Sequence, residues 1–289
     1  MRALVGFGGG RNGSFPMGVL NGDLLGKSWD AYYGTSTSAI CLAAIAHVGL
    51  KQTTDIWNGI KGTSDIYGSR GIGIPGLDNV IDAIGTGVDL ATGGGGGRYN
   101  HKPLEALIVK NIVGKPTVPV TVNRVSLATR RQQMVTANPS GVYVNSNLED
   151  PVTDLPGFQQ AVLSSAMTPG LVDLVAGKWA DGGVREMGLV EKAIADGHTD
   201  ITILLCDMYS DGSTAPTPVG NGIDTVLRAL SCLTNQEMLD DIAVGLGNPN
   251  IHVTIYAPLV DLGDPADFDP KAIASNMALG MTAKPIIVK

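Results

Sequence analysis

The chain has 289 residues, with 20 Lys plus Arg against 27 Asp plus Glu and a formal net charge of −7. Charged residues are only 16 %, below the roughly 25 % of ordinary globular proteins, which excludes long solvated helices and coiled coils, and the acidic balance speaks against a non-specific nucleic-acid binder, which needs a basic face. The length and the 44 % hydrophobic content are enough to bury a core without disulfides or metals.

Arg2–Phe7 is a short apolar run that stops at glycines and reads as a buried strand. Helical spacing follows at Phe15, Val19 and Leu20, with Pro16 in the first turn, where proline is tolerated. Trp29–Gly34 reads as a second strand, Ser36–Val48 as a buried helix apolar almost all round, and Lys51–Ile60 as a further helix. Residues 61–100 are rich in glycine and weakly periodic, with a low-complexity run at Gly93–Gly97. His101–Ile112 is helical. The segments from Pro116 to Arg130 and from Gln132 to Val144 are β-branched or alternating and predict strands, with a turn near Asn138–Gly141.

Leu155–Met167 is helical, and Val172–Gly183 reads as a strand pair turning at Ala176–Lys178. A short helix ends at Gly197, followed by a buried strand at Asp200–Cys206. Gly222–Gly247 has the spacing of a long amphipathic helix, Ile251–Pro258 is a last strand, and Phe268–Gly280 a last helix. Helices alternate with strands that are apolar throughout. The pattern predicts a three-layer α/β/α fold with a mostly parallel central sheet, in one domain spanning 1–289.

Cys41, Cys206 and Cys232 lack C-x-x-C spacing, so neither a disulfide scaffold nor a zinc site is expected. Ala3–Phe7 is too short for a secretory h-region, and the longest apolar stretch, Ala39–Ala46, is far below the roughly 20 residues of a membrane span. A soluble, cytoplasmic protein is the expectation.

Three segments carry the chemistry. Gly6–Gly18 joins a strand to a helix through successive glycines, whose N–H groups can converge on an anion or a developing oxyanion. Gly8-x-Gly10-x-x-Gly13 also fits the dinucleotide fingerprint formally, but Asp30 opens the second strand instead of closing it, where a ribose partner is wanted. A tight turn with no ligand is the plain alternative. In Gly34-Thr35-Ser36-Thr37-Ser38, Ser36 stands where a strand turns sharply into a buried helix, the place of a nucleophile elbow or of a simple helix cap. The elbow pattern G-x-S-x-G has Ser38 in place of its second glycine. Asp181-Gly182-Gly183 reads by itself as a turn.

Taken in order, the strand, the glycine loop, the elbow serine and the late Asp-Gly-Gly resemble the patatin-like phospholipase family, lipid acyl hydrolases with a Ser-Asp dyad. The first loop and helix, the middle helix in Gly97–Ile108, and the approach Val162–Val184, with its turn at Ser165–Pro169, resemble the family as well. The likeness covers about residues 2–206. It implies Ser36 as nucleophile, Asp181 as its base, and an oxyanion hole from the amides of Gly8, Gly9, Gly10 and Arg11. It also implies a lipid or acyl-ester substrate, with room for transient contact at a membrane surface, and neither cofactor nor metal. Besides Ser38, the loop departs from the family in its basic residue: Arg11 comes one place early, and Asn12 holds the usual position.

Two other readings stay open. One is an α/β-hydrolase with a Ser-His-Asp triad, ending in a late histidine such as His252. The other is a non-catalytic relative that binds or builds. A dyad whose aspartate is raised by no more than about one unit predicts a level kcat/KM from pH 7 to about 6. Burial beside Trp179 is one way to raise it. The length and glycine content of Lys61–Gly97 suit a lid.

Overall fold

The structure, a computed structural model, describes residues 1–69, 97–209 and 222–289; of residues 222–232 it describes the backbone alone. Strands are β1 (Arg2–Gly6), β2 (Ala31–Gly34), β3 (Gly68–Ser69), β4 (Tyr99–Asn100), β5 (Val120–Ser126), β6 (Arg131–Ala137), β7 (Tyr143–Asn145), β8 (Trp179–Asp181), β9 (Asp200–Leu204), β10 (His252–Tyr256) and β11 (Ile287–Val288). Helices are α1 (Ser14–Asn21), α2 (Thr37–Gly59), α3 (Lys102–Asn111), α4 (Leu155–Ser165), α5 (Val190–Ala195), α6 (Gly222–Gly247) and α7 (Pro270–Thr282).

Nine strands form one sheet in the order β11-β10-β9-β1-β2-β5-β6-β7, with β8 on the side of β5. The central five, β10 to β5, are parallel. Their side chains alternate between two cores. Leu4 enters one core with α1, α2, α3, α4 and α7, whereas Ala3 and Val5 enter the other with α5 and α6. Strands covered on both faces can be apolar throughout, which is why β1 and β9 carry no polar alternation. The α/β/α architecture read from the sequence is the one observed.

The two helices expected over 36–60 are both present: α2 is two helical segments that meet at a kink at Gly49, whose φ of 86° and ψ of 161° are outside helical values. The turn at Asn138–Gly141 closes through Gly141 N–H to Asn138 O at 2.8 Å. The strand pair expected over Val172–Gly183 is not formed. Val175 and Trp179 make a single bridge across a turn at Ala176 and Gly177, and Val172 bridges to Tyr99. The segment Trp179–Asp181 pairs instead with β5, because β5 outruns its neighbour. β2 ends at Gly34, opposite Val122, and leaves the far half of β5 with an open edge. β8 fills that edge, with Asp181 opposite Arg124. Two residues past Gly34 comes Ser36, and two past Val122 comes Arg124. The pairing thus brings Asp181 alongside Ser36, although 145 positions in sequence separate them. No described helix is long and apolar enough to cross a membrane.

Candidate active site

The glycine loop leaves the C-terminal end of β1, where the chain order changes direction across the sheet: β2 lies on one side and β9 on the other. Ligand sites in open α/β sheets favour this position. Ser36 leaves β2 at the same end. Its backbone has φ 56° and ψ −129°, an uncommon conformation for a residue with a side chain. Such strain persists only when its surroundings enforce it. Here Ser36 N–H donates to Ser165 Oγ at 2.9 Å, and Ile40 N–H and Ala39 N–H return to Ser36 O to start α2.

Gly183 N–H donates to the Asp181 carboxylate at 2.8 Å, and the Ser36 and Thr168 hydroxyls lie close enough to it to favour its charged form. Asp181 N–H donates to Met167 O at 3.0 Å. Burial pushes the Asp181 carboxyl up to about 6, and the three donors offset part of that rise. A rise of this size exceeds the one-unit condition on which a level rate from pH 7 to 6 depends, so that condition is not met. The desolvation surrounds the whole carboxylate. Trp179, two residues before Asp181 on β8, is buried as well; its indole N–H donates to Asp150 and Arg124 stacks on its ring at 3.8 Å.

The glycine loop crosses directly over Ser36. A Cβ on Gly8 would stand 2.7 Å from Ser36 Cβ, so only glycine allows the approach. Among the described residues, no acceptor takes the N–H of Gly8, Gly9 or Gly10. Gly8 is buried, and a buried N–H without a partner is costly in a resting protein. Arg11 corrects the expected set. Its N–H donates to Pro265 O at 2.8 Å and is not free for an oxyanion. The Arg11 side chain is buried and reaches Asp267 O at 3.0 Å and Leu262 O, so it pins the loop to the segment before α7. Asn12 joins it there through Gly263 O and Asp207, both at 3.4 Å.

Ser36, Asp181, Gly9, Gly10 and Gly183 open onto a cavity of about 370 Å³. Its walls are apolar: Ile40, Cys41 and Ala44 of α2, Trp57 and Ile60 at the far end of the same helix, Leu104, Leu107 and Ile108 of α3, and Phe268. Ile66 and Tyr67 also line it, but residues 70–96 of the expected lid lie outside the described residues. So does the Cys232 side chain, while Cys41 and Cys206 are buried free thiols.

None of the four histidines lines the cavity. His252 sits at the N-terminal end of β10, 3.4 Å from Asp200, whereas Ser36 follows the C-terminal end of β2, so the two lie at opposite ends of the parallel strands. His198 is beside Tyr33 and His47 bonds to Val113 O. This arrangement removes the histidine triad. Ser165 and Thr168, which hold Ser36 and Asp181, had only the turn at Ser165–Pro169 to announce them.

No family model matches the chain, and no curated protein matches it. Among solved structures the chain is similar to VipD from Legionella pneumophila, with a TM-score of 0.43 and 12 % identity over 97 % of this chain and 65 % of that one. The chain therefore spans slightly less than two thirds of that chain's length.

Proposed function

We propose that the chain is a lipid acyl-ester hydrolase of the patatin-like kind, working through Ser36 and Asp181 on one α/β domain. The observation that carries this reading is the contact of a strained, buried serine hydroxyl with a desolvated carboxylate, opening onto an apolar cavity. Asp181 takes the Ser36 proton as Oγ attacks the ester carbonyl. The N–H groups of Gly8, Gly9 and Gly10 receive the developing oxyanion, and each such donor is worth about 10²–10³ in kcat. As the tetrahedral species collapses, Asp181 returns the proton to the departing alcohol and the acyl group stays on Ser36. Water, losing its proton to Asp181, then attacks the acyl-enzyme. The fatty acid leaves and Ser36 regains its proton.

The apolar walls suit an acyl chain, at about 0.8 kcal/mol per buried methylene. Leu259 and Val260, 82 % and 51 % exposed, precede the stretch that supplies Pro265, Ala266 and Phe268 to the cavity, an apolar tip suited to brief contact with a lipid surface. The test is covalent. A fluorophosphonate probe should add one phosphonyl group to Ser36, located by peptide mass spectrometry, and p-nitrophenyl acyl esters should be hydrolysed. A folded protein that neither reacts nor hydrolyses any ester would instead be a binding protein on this fold.

A further inference from the structure

The Phe7 carbonyl accepts two side-chain hydrogen bonds. Ser38 Oγ donates to it at 2.6 Å and Cys206 Sγ at 3.2 Å. Ser38 comes from the first turn of α2 and Cys206 from the segment that follows β9, so two parts of the chain on either side of the loop grip one oxygen. Both side chains are buried, Ser38 at 3 % and Cys206 at 1 % exposure. Burial raises the Cys206 thiol well above its ordinary range, so it stays protonated and keeps its donor.

The peptide that carries this carbonyl also carries the Gly8 N–H. A trans peptide is planar, with its C=O and N–H pointing in opposite directions. The chain has no cis peptide among its described residues. Holding Phe7 O against Ser38 and Cys206 therefore turns the Gly8 N–H away from them. That N–H is buried, finds no acceptor among the described residues, and belongs to the residue that lies against Ser36. We propose that Ser38, assisted by Cys206, is a positioning residue for the hydrolysis: it clamps the Phe7–Gly8 peptide so that the Gly8 N–H is aimed at the oxyanion. The proposal rests on the hydrolase reading above for its catalytic consequence, though not for the clamp itself.

Ser38 stands where an elbow of the G-x-S-x-G kind has glycine. Its side chain fits because the room is made on β1. A Cβ on Gly6 would lie 2.6 Å from Ser38 Cβ and 2.8 Å from its Oγ.

The experiment compares Ser38→Ala and Ser38→Cys with the parent, using a p-nitrophenyl ester, the rate of Ser36 phosphonylation and a crystal structure of each protein. In Ser38→Ala, kcat and the phosphonylation rate should fall about tenfold to a hundredfold, below the 10²–10³ loss of a whole oxyanion donor. KM should stay within about twofold, because a loss confined to the transition state leaves ground-state binding alone. The Phe7–Gly8 peptide should rotate, and Ser38→Cys should recover part of the rate by restoring a donor. A Phe7–Gly8 peptide in its parental orientation in Ser38→Ala overturns the clamp, as does parental kcat or a loss carried by KM alone. Should Ser38→Ala not fold, Cys206→Ala against Cys206→Ser makes the same comparison, the alanine losing rate and the serine keeping it. If the parent hydrolyses no ester, the hydrolase reading fails, and the peptide orientation still decides the clamp.

Discussion

Asp181 and Asp241 hold the two ends of one segment. Asp181 opens it and bonds Gly183 N–H at 2.8 Å; Asp241, on α6, accepts Gly188 N–H at 2.6 Å. Their exposures are nearly equal, 7 % and 8 %, yet burial lifts Asp181 only to about 6 and Asp241 to about 8. The difference lies in what surrounds each carboxylate. Asp181 has donors of Ser36, Thr168 and Gly183 beside it, all of which favour its charged form. Asp241 has one donor, and the negative charges of Glu186, Glu237 and Glu191 oppose ionisation. Burial with one donor and three nearby carboxylates makes an acid that stays protonated at neutral pH; burial with three donors makes a carboxylate still ionised at pH 7, with a basicity useful to a nucleophile.

The largest effect should come from Ser36→Ala. Ester hydrolysis should fall by about 10⁴-fold or more, with the melting temperature close to the parent's. The same variant sharpens the comparison, because it deletes one of Asp181's three donors and should move that carboxyl above 6, toward Asp241. Carboxyl ¹³C titration by NMR checks the shift. Asp181→Asn comes next, with kcat lower by about 10²–10⁴, the range of a general base. Undiminished turnover in either variant would end the dyad assignment. Removal of a buried carboxylate should also make Asp181→Asn more stable than the parent at pH 8, measured by calorimetry.

A smaller effect is the pH dependence. With Asp181 near 6, kcat/KM on a neutral, soluble ester should be half its plateau near pH 6 and about a tenth of it at pH 5. A histidine limb would fall in almost the same place, so His252→Gln is the control, and its profile should overlay the parent's. A limb that moves with His252 would contradict the placement of that residue and Ser36 at opposite ends of the parallel strands.

Much of this arrangement is legible in the sequence, because it rests on local patterns. The apolar strands at 2–7 and 200–206, the glycine cluster between strand and helix, and the serine at the second such junction all announce themselves within a dozen residues. What is hidden depends on partners far along the chain. Arg11's amide looks as free as those of its glycine neighbours until Pro265, from the far end of the sequence, caps it. Asp181-Gly182-Gly183 has the composition of a turn, and it becomes a strand end because β2 stops short of β5. Ser38 looks like a defect in an elbow motif, since nothing local says that Gly6 has made room for it. Asp241 is one acid among several on an amphipathic helix, and its burial against Gly188 leaves no periodic trace.

Asp241→Asn should have the smallest effect on catalysis and tests the other side of the comparison. Asp241 does not line the cavity, so hydrolysis at pH 7 should match the parent's. Stability should differ in its pH dependence. Asp241 titrates near 8 in the native state and near 3.9 when unfolded. Between those values the native state holds the extra proton, so its contribution to stability is full below about pH 4, declines as pH rises, and is lost by about pH 8. Asparagine keeps the acceptor for Gly188 N–H and cannot ionise against Glu186, Glu191 and Glu237. The variant and the parent should therefore melt together near pH 4. At pH 9 the variant should melt several degrees higher, each 1 kcal/mol being worth about 2–4 °C in chains of 150–250 residues. Melting curves that stay parallel from pH 4 to 9 would show that Asp241 ionises freely. The contrast with Asp181 would then rest on something other than the donors each carboxylate has around it.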